Sequence, residues 1–269
     1  MSSLAGTVVS ERYVLGEVLG HGGQGTVFRA LDRKTGRGVA VKMLSPGVSH
    51  NPDFATRLAR EQEALVALAG TSAVAVYDLC RAPGGSLCLV MELLEGRDLE
   101  RHLLALERRG ERLSKERLSA VFEPIVDTLE RAHDLGIVHR DVKPSNIFLL
   151  TDGGGVRLLD FGLSRMHTAA PLTAAGMLVG SPSYIAPEIW QGQSDVDRRA
   201  DVYSLGVIFH RLLTKRTPLK VERAANYYEW VMAHQRPLEL DLTAPPGAPA
   251  LPEELTSIVR KMLAKKAAK

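Results

Sequence analysis

Short apolar runs broken by glycine open the chain, at residues 13–20, 25–31 and, after the polar turn 32–37, 38–44. Runs of this length and punctuation predict a hairpin followed by a third strand. Residues 53–68 change period: Phe54, Leu58, Leu65 and Leu68 share one stripe with charges between them, which predicts a helix. Two further strands are expected at 74–80 and 86–92, joined by the turn Ala82-Pro-Gly-Gly85. Beyond residue 95 the helical period dominates. Helices are predicted at 98–108, 116–136 with Gly136 as C-cap, 201–214, 224–236 and 255–266. Short strands are expected at 138–150 and 156–159, and the Pro/Ala-rich stretch 241–252 reads as a loop. The pattern is a small lobe of five strands and one helix followed by a larger helical lobe, with a cleft between them.

Composition narrows the class. The 269 residues are 45% apolar and 24% charged, enough for a sizeable core, and no apolar run is long enough to span a membrane. The start of the chain lacks a basic stretch followed by an apolar one, so no secretory signal is read there. Two cysteines are too few for a disulfide-stapled module, which points to a cytoplasmic protein or domain. The net charge of +3 resides in residues 260–269, which carry Arg260, Lys261, Lys265, Lys266 and Lys269 and no acid; the rest of the chain is slightly acidic. That is not the broad basic face of a nucleic-acid binder.

Gly20-His-Gly22-Gly-Gln-Gly25-Thr-Val27 is a GxGxxGxV pattern. Alone it could equally be a glycine-rich hairpin turn. A dinucleotide fold would place a helix after the glycines, but Thr26 to Ala30 is β-prone. Glycines between two strands let the backbone close over phosphates without side-chain clashes. Val39-Ala-Val-Lys42 follows, with the lysine alternating among apolar neighbours and so directed to one face of a strand. A lysine beneath a glycine loop would pair with phosphate oxygens and needs an acid to hold it. Glu61 on the following helix is the candidate and Glu63 the rival.

His139-Arg-Asp141-Val-Lys143-Pro-Ser-Asn146, then Asp160-Phe-Gly162 and Ala186-Pro-Glu188, complete an ordered series. With these motifs the chain, from about Tyr13 onward, resembles a protein kinase, and in particular the bacterial eukaryotic-like Ser/Thr kinases. The resemblance implies an α+β bilobal fold: a five-stranded antiparallel sheet with one helix over residues 11–94 and a mostly helical lobe over 95–269. It implies ATP-dependent transfer of a phosphoryl group to Ser/Thr hydroxyls of proteins, with Mg²⁺ and, in its place, Mn²⁺ as the metal.

The implied roles suit the chemistry, in which alignment and charge neutralisation outweigh covalent catalysis. Asp141 accepts the hydroxyl proton and Lys143 neutralises the transferring group. Lys42, oriented by Glu61, holds phosphates. Asn146 and Asp160 supply the hard oxygens that suit Mg²⁺. Gly20, Gly22 and Gly25 form the loop over the nucleotide. Val27, Ala40 and Phe148 sandwich the adenine, Phe148 being bulkier than the usual leucine. Met91 is the gatekeeper, and Glu92 and Leu94 belong to the hinge. Asp98 is either a ribose contact or a surface acid. Phe161 is expected under the helix that carries Glu61.

Between Asp160 and Glu188, Thr173 is the implied phosphosite, with Thr168 the weaker candidate and Arg140 and Arg165 as phosphate receivers. Gly180-Ser-Pro182 resembles the Gly-Thr-Pro of a Ser/Thr docking loop. Autophosphorylation would involve a transient homodimer. The alternatives are a pseudokinase scaffold, against which the intact set Lys42, Asp141, Asn146 and Asp160 argues, and a small-molecule phosphotransferase, against which Ala186-Pro-Glu188 and Asp201 argue. Cys80 and Cys88 are expected opposite each other across a turn, as free thiols. Trp190 and Trp230 are read as core or groove residues, and the histidines lack metal-ligand spacing. In the family an arginine that pairs with the glutamate of Ala-Pro-Glu follows the last helix. None stands between that helix and Lys269, so the sequence is expected to be the N-terminal kinase domain of a longer protein, membrane-anchored or not, with Glu188 otherwise an uncompensated carboxylate.

Overall fold

The computed structural model describes residues 4–22, 25–45, 66–161, 182–193, 195–219, 221, 227–236, 238–245 and 250–264. Six strands, β1 (Val8–Val9), β2 (Tyr13–Gly22), β3 (Gly25–Asp32), β4 (Arg37–Leu44), β5 (Val76–Arg81) and β6 (Leu87–Glu92), form one antiparallel sheet in the order β1-β2-β3-β4-β6-β5. Five of them match the strands expected from sequence. The sixth, β1, has two residues, too short to show alternation, and exists because it pairs with the edge of β2. The helix expected at 53–68 lies almost wholly outside the described residues.

The period of two decides which face is dry. Phe28, Ala30, Val39, Val41, Cys88 and Val90 form a buried cluster with Val9, Tyr13 and Leu15. Their sequence neighbours Val27, Ala40, Lys42, Leu89 and Met91 therefore take the other face. Cys80 and Cys88 stand directly opposite across β5 and β6 as free thiols. The edge is tied by polar groups: the Arg12 guanidinium forks onto both Asp32 oxygens at 2.7 Å, and Tyr13 Oη donates to Asp78 at 2.7 Å.

The second lobe begins with β7 (Gly96–Asp98) and α1 (Leu99–Arg108), then α2 (Lys115–Asp134). Asp98 and Ser114 cap the two helices by accepting from Arg101 N and Arg117 N. Helix α2 ends as expected near Gly136, at φ +73°. The strand expected over 138–150 is a correction: only β8 (Ile147–Leu150) is extended, preceded by a 3-10 turn Pro144–Asn146 and by an irregular stretch. Pro144 has no N–H to give a ladder, and Arg140 sits at φ +66°. β8 lies between β7 and β9 (Val156–Leu158). Helices α3 (Pro187–Trp190), α4 (Arg199–Thr214), α5 (Tyr227–Gln235) and α6 (Glu253–Met262) follow. Helix α4 is buried along most of its length. A Cβ at Gly206 would stand 2.8 Å from Met262 Cβ, so only glycine admits α6 this closely. Trp190, Trp230 and Leu219 form a satellite cluster.

Candidate active site

Lys42 stands on β4 with Val27 of β3 and Leu89 of β6 directly opposite, while Ala40 pairs with Met91. Hydrogen-bonded neighbours on both sides fix where the lysine points. Its ammonium is buried and donates to Asp160 Oδ1 at 2.7 Å, a span of 118 residues in sequence. Burial alone would push the Asp160 carboxyl up, but the Lys42 ammonium in contact holds it below the usual carboxylate range. At the root of the glycine loop, Gly25 has φ +147°, and a Cβ there would stand 2.0 Å from the Met43 carbonyl oxygen. Glycine is required at that residue for packing of β3 against β4.

The stretch 139–146 is held from below by one carboxylate. Asp201, fully buried on α4, accepts from His139 N at 2.9 Å and Arg140 N at 2.7 Å, and lies 2.8 Å from His133 Nε2 of α2. The His139 ring meets the Leu159 carbonyl at 2.8 Å through Nε2 and accepts from Asp141 N at 3.2 Å through Nδ1. It also packs on the Phe161 ring at 4.5 Å between centroids. So His139 joins the Asp141 and Asp160 segments. Asp160 itself has φ +63°, a conformation an aspartate tolerates better than most side chains.

On this support Lys143 Nζ donates to the two Asp141 oxygens at 2.9 and 2.6 Å, and Asn146 Nδ2 donates to the Asp141 carbonyl at 2.8 Å and to Oδ2 at 3.1 Å. The Asn146 nitrogen is thereby engaged, and its amide oxygen is the atom suited to a hard cation, as is the Asp160 carboxylate. Phe148 on β8 alternates with Ile147 and Leu149, which enter the core, and is partly buried on the other face. With Val27, Ala40 and Met91 it supplies the apolar groups a purine ring needs. The residues present therefore fit a nucleotide and a divalent cation.

Some sequence expectations acquire other partners. Asp98 caps α1 and pairs with Arg101 at 3.2 Å, which accounts for its carboxylate without a ligand. The Glu92 carboxylate accepts from Arg157 Nε at 3.0 Å, tying the end of β6 to β9. Leu94 follows two residues later, partly buried. Arg140 is buried, its guanidinium donating to the Val196 carbonyl at 3.3 Å. Phe161 lies in the core of the second lobe against His139, while the helix expected above it falls outside the described residues. Gly20 and Gly22 lie in β2. Glu61, Glu63, Arg165, Thr168, Thr173, Gly180 and Ser181 lie outside the described residues, so the Lys42–Glu61 pairing and the phosphosite are read from sequence alone. Glu188 is half-buried, and among the described residues no cation stands at ion-pair distance from it; Arg199 pairs with Asp197 at 2.7 Å.

Sequence spacing alone gives no sign that His133 and Arg157 support the site, and it associates Asp201 with Ala186-Pro-Glu188 without saying what the carboxylate holds. Only tertiary packing brings it to the amides of residues sixty positions earlier.

A family model described as a protein kinase domain matches residues 13–269. The serine/threonine-protein kinase PknL of Mycobacterium tuberculosis is 38% identical over 233 residues, covering 87% of this chain and 55% of its own length. PknA of the same organism is 36% identical over 267 residues, covering 98% of this chain and 58% of its own. The chain thus spans a little over half the length of these curated relatives. The crystal structure of the M. tuberculosis PknI kinase domain aligns with a TM-score of 0.72 at 26% identity, covering 99% of this chain and 93% of that one. With the family match running from the first long strand to the end of the sequence, and the ordered motifs converging on one cleft, the chain belongs to the protein kinase family.

Proposed function

We propose that this chain is an ATP-dependent protein serine/threonine kinase. The observation that carries this reading is a pair of hydrogen-bonded groups, Lys42 with Asp160 and Asp141 with Lys143 and Asn146, whose segments are joined by the His139 ring and by the bond from Leu159 N to the Asn146 carbonyl. Bound Mg·ATP supplies the transferable phosphoryl group and a divalent cation that neutralises its charge; Mg²⁺ is the proposed metal, with Mn²⁺ able to replace it. Asp141 orients the substrate hydroxyl and accepts its proton. Lys143, now on Asp141, is within reach of the same space and offsets negative charge there as transfer proceeds. Asn146 and Asp160 hold the cation, and Lys42 holds phosphate oxygens. The Lys42 ammonium in contact favours the charged form of the Asp160 carboxyl.

The finer parts of the reading follow from it. Residues 11–94 form the nucleotide-binding lobe and 95–269 the catalytic lobe. Glu61 orients Lys42 when nucleotide is bound. Autophosphorylation at Thr173, through a transient homodimer, adds negative charge that Arg140 and Arg165 receive. The setting is cytoplasmic; among the described residues no helix is long and apolar enough to cross a membrane. Labelled ATP with divalent metal and a generic protein substrate tests the core claim. Asp141→Asn and Asp160→Ala are each expected to lower phosphotransfer by about a thousandfold in a chain that still folds. Wild-type rates in both variants would overturn the assignment. Mapping of phosphate after ATP incubation tests Thr173.

A further inference from the structure

One ion cluster lies away from the phosphoryl-transfer groups and joins three elements. Arg211, near the end of α4, has a side chain only 12% exposed. Its Nη1 donates to Glu100 Oε2 at 2.5 Å and to Tyr184 Oη at 2.8 Å, and its Nη2 reaches Glu107 Oε1 at 3.5 Å. Glu100 and Glu107 lie two turns apart on one face of α1. Tyr184 is buried in the 3-10 turn Pro182–Tyr184 that leads into Ala186-Pro-Glu188. Its carbonyl accepts from Ser204 Oγ of α4 at 2.8 Å. Tyr184 is thus tied to α4 at both ends, by Ser204 through the main chain and by Arg211 through the hydroxyl.

A guanidinium taken this far out of water is retained only with good partners, and removing it leaves two half-buried like charges and a buried hydroxyl behind. Its planar fork serves several acceptors at once, which an ammonium does less well. The group fixes a spacing between α1, which directly follows the strand β7, and the segment 182–188. Neither end touches Lys42, Asp141 or Asp160.

We infer that Arg211 is a positioning residue for the protein substrate, setting the distance between α1 and the 182–188 segment as two walls of the surface on which a polypeptide lies to reach Asp141. The inference rests on the kinase reading and on 182–188 being the docking segment. It predicts an effect on the protein substrate and not on the nucleotide.

The test is steady-state kinetics of the whole chain with protein substrate and ATP varied separately. Arg211→Met is expected to raise KM for the protein substrate by about fivefold, with KM for ATP within about twofold of wild type. Arg211→Lys should recover part of the loss, and Tyr184→Phe should reproduce part of it. Combining Arg211→Met with Tyr184→Phe should add little, because both cut the same link. An unchanged protein KM in a folded Arg211→Met variant, or an equal rise in KM for ATP, overturns the inference. If Arg211→Met does not fold, Glu100→Gln keeps the arginine and removes one of its charged partners. A raised protein KM with unchanged KM for ATP then supports the role, and an unchanged protein KM or an equal rise in both overturns it. A wild-type chain that phosphorylates no protein while binding ATP overturns the proposed function and this role with it; normal wild-type turnover with silent variants overturns this role alone.

Discussion

Lys42 reaches the cleft from a strand with partners on both sides, whereas Asp141 reaches it from a stretch with no ladder at all. The lysine is placed by main-chain bonds to β3 and β6, which do not depend on which side chains are there. The aspartate is placed by side chains, chiefly Asp201 and the His139 ring, and by Lys143 and Asn146 beside it. A strand-held group rests on many equivalent bonds. A loop-held group depends on a few buried polar atoms, each costly to lose.

The difference predicts distinct signatures for two inactive variants. Lys42→Met should cost about 10²–10³-fold in phosphotransfer and leave β4 paired, with any fall in melting temperature confined to the Asp160 carboxyl left without its ammonium. Asp201→Asn should lose activity to a similar extent and also stability, at about 1–3 kcal/mol for each amide left without its acceptor. Parallel kinetic and calorimetric measurements decide this. A stable Asp201→Asn variant would mean that the loop holds itself.

Gly25→Ala attacks the strand-held side where it is least tolerant. The positive φ and the Met43 carbonyl at 2.0 Å from the added carbon leave no room, so a loss of roughly 1–3 kcal/mol and a raised KM for ATP are expected. Normal KM and stability would show that the glycine loop adjusts independently of β4.

Asp98→Ala separates a cap from a ligand contact. Loss of the bond from Arg101 N should cost about 1 kcal/mol of stability with KM for ATP unchanged. A raised KM for ATP without destabilisation would restore the ribose role.

The smallest effect concerns Glu188. Burial pushes its carboxyl above the usual range, with Asp197 adding to the rise and Arg199 opposing it. A raised folded pKa means the native state holds the proton more tightly. The stabilising contribution is therefore present below the unfolded pKa and is lost as pH rises through the folded one. As pH rises through the folded pKa the ionised carboxylate becomes a net burden, so Glu188→Gln should raise the melting temperature by about 1–2 °C on the alkaline side, and the gain should shrink as the carboxyl protonates on acidification. A fall at neutral pH would reveal a cation partner for Glu188.

The sequence by itself determined the two-lobe plan, five of the six strands of the first sheet, five of the six helices described after residue 95, and the residue types of the site. Period two turned Lys42 to the face opposite Val39 and Val41, and the ordered motifs identified Asp141, Asn146 and Asp160, because their chemistry is tied to short fixed spacings. Over 138–150 the pattern misleads, since an apolar run looks the same whether it pairs or not. Only the tertiary structure decided that this stretch is irregular and that Asp201 supports it. It also decided that Asp98 caps a helix, that Arg157 holds Glu92 at the end of β6, and that Arg211 joins α1 to Tyr184. The physical reason is common to these cases. A buried polar group is satisfied by whichever partner packing brings within hydrogen-bond reach, here from about 60 to more than 100 residues away in the long-range cases, and nothing in the local pattern of either partner records that meeting.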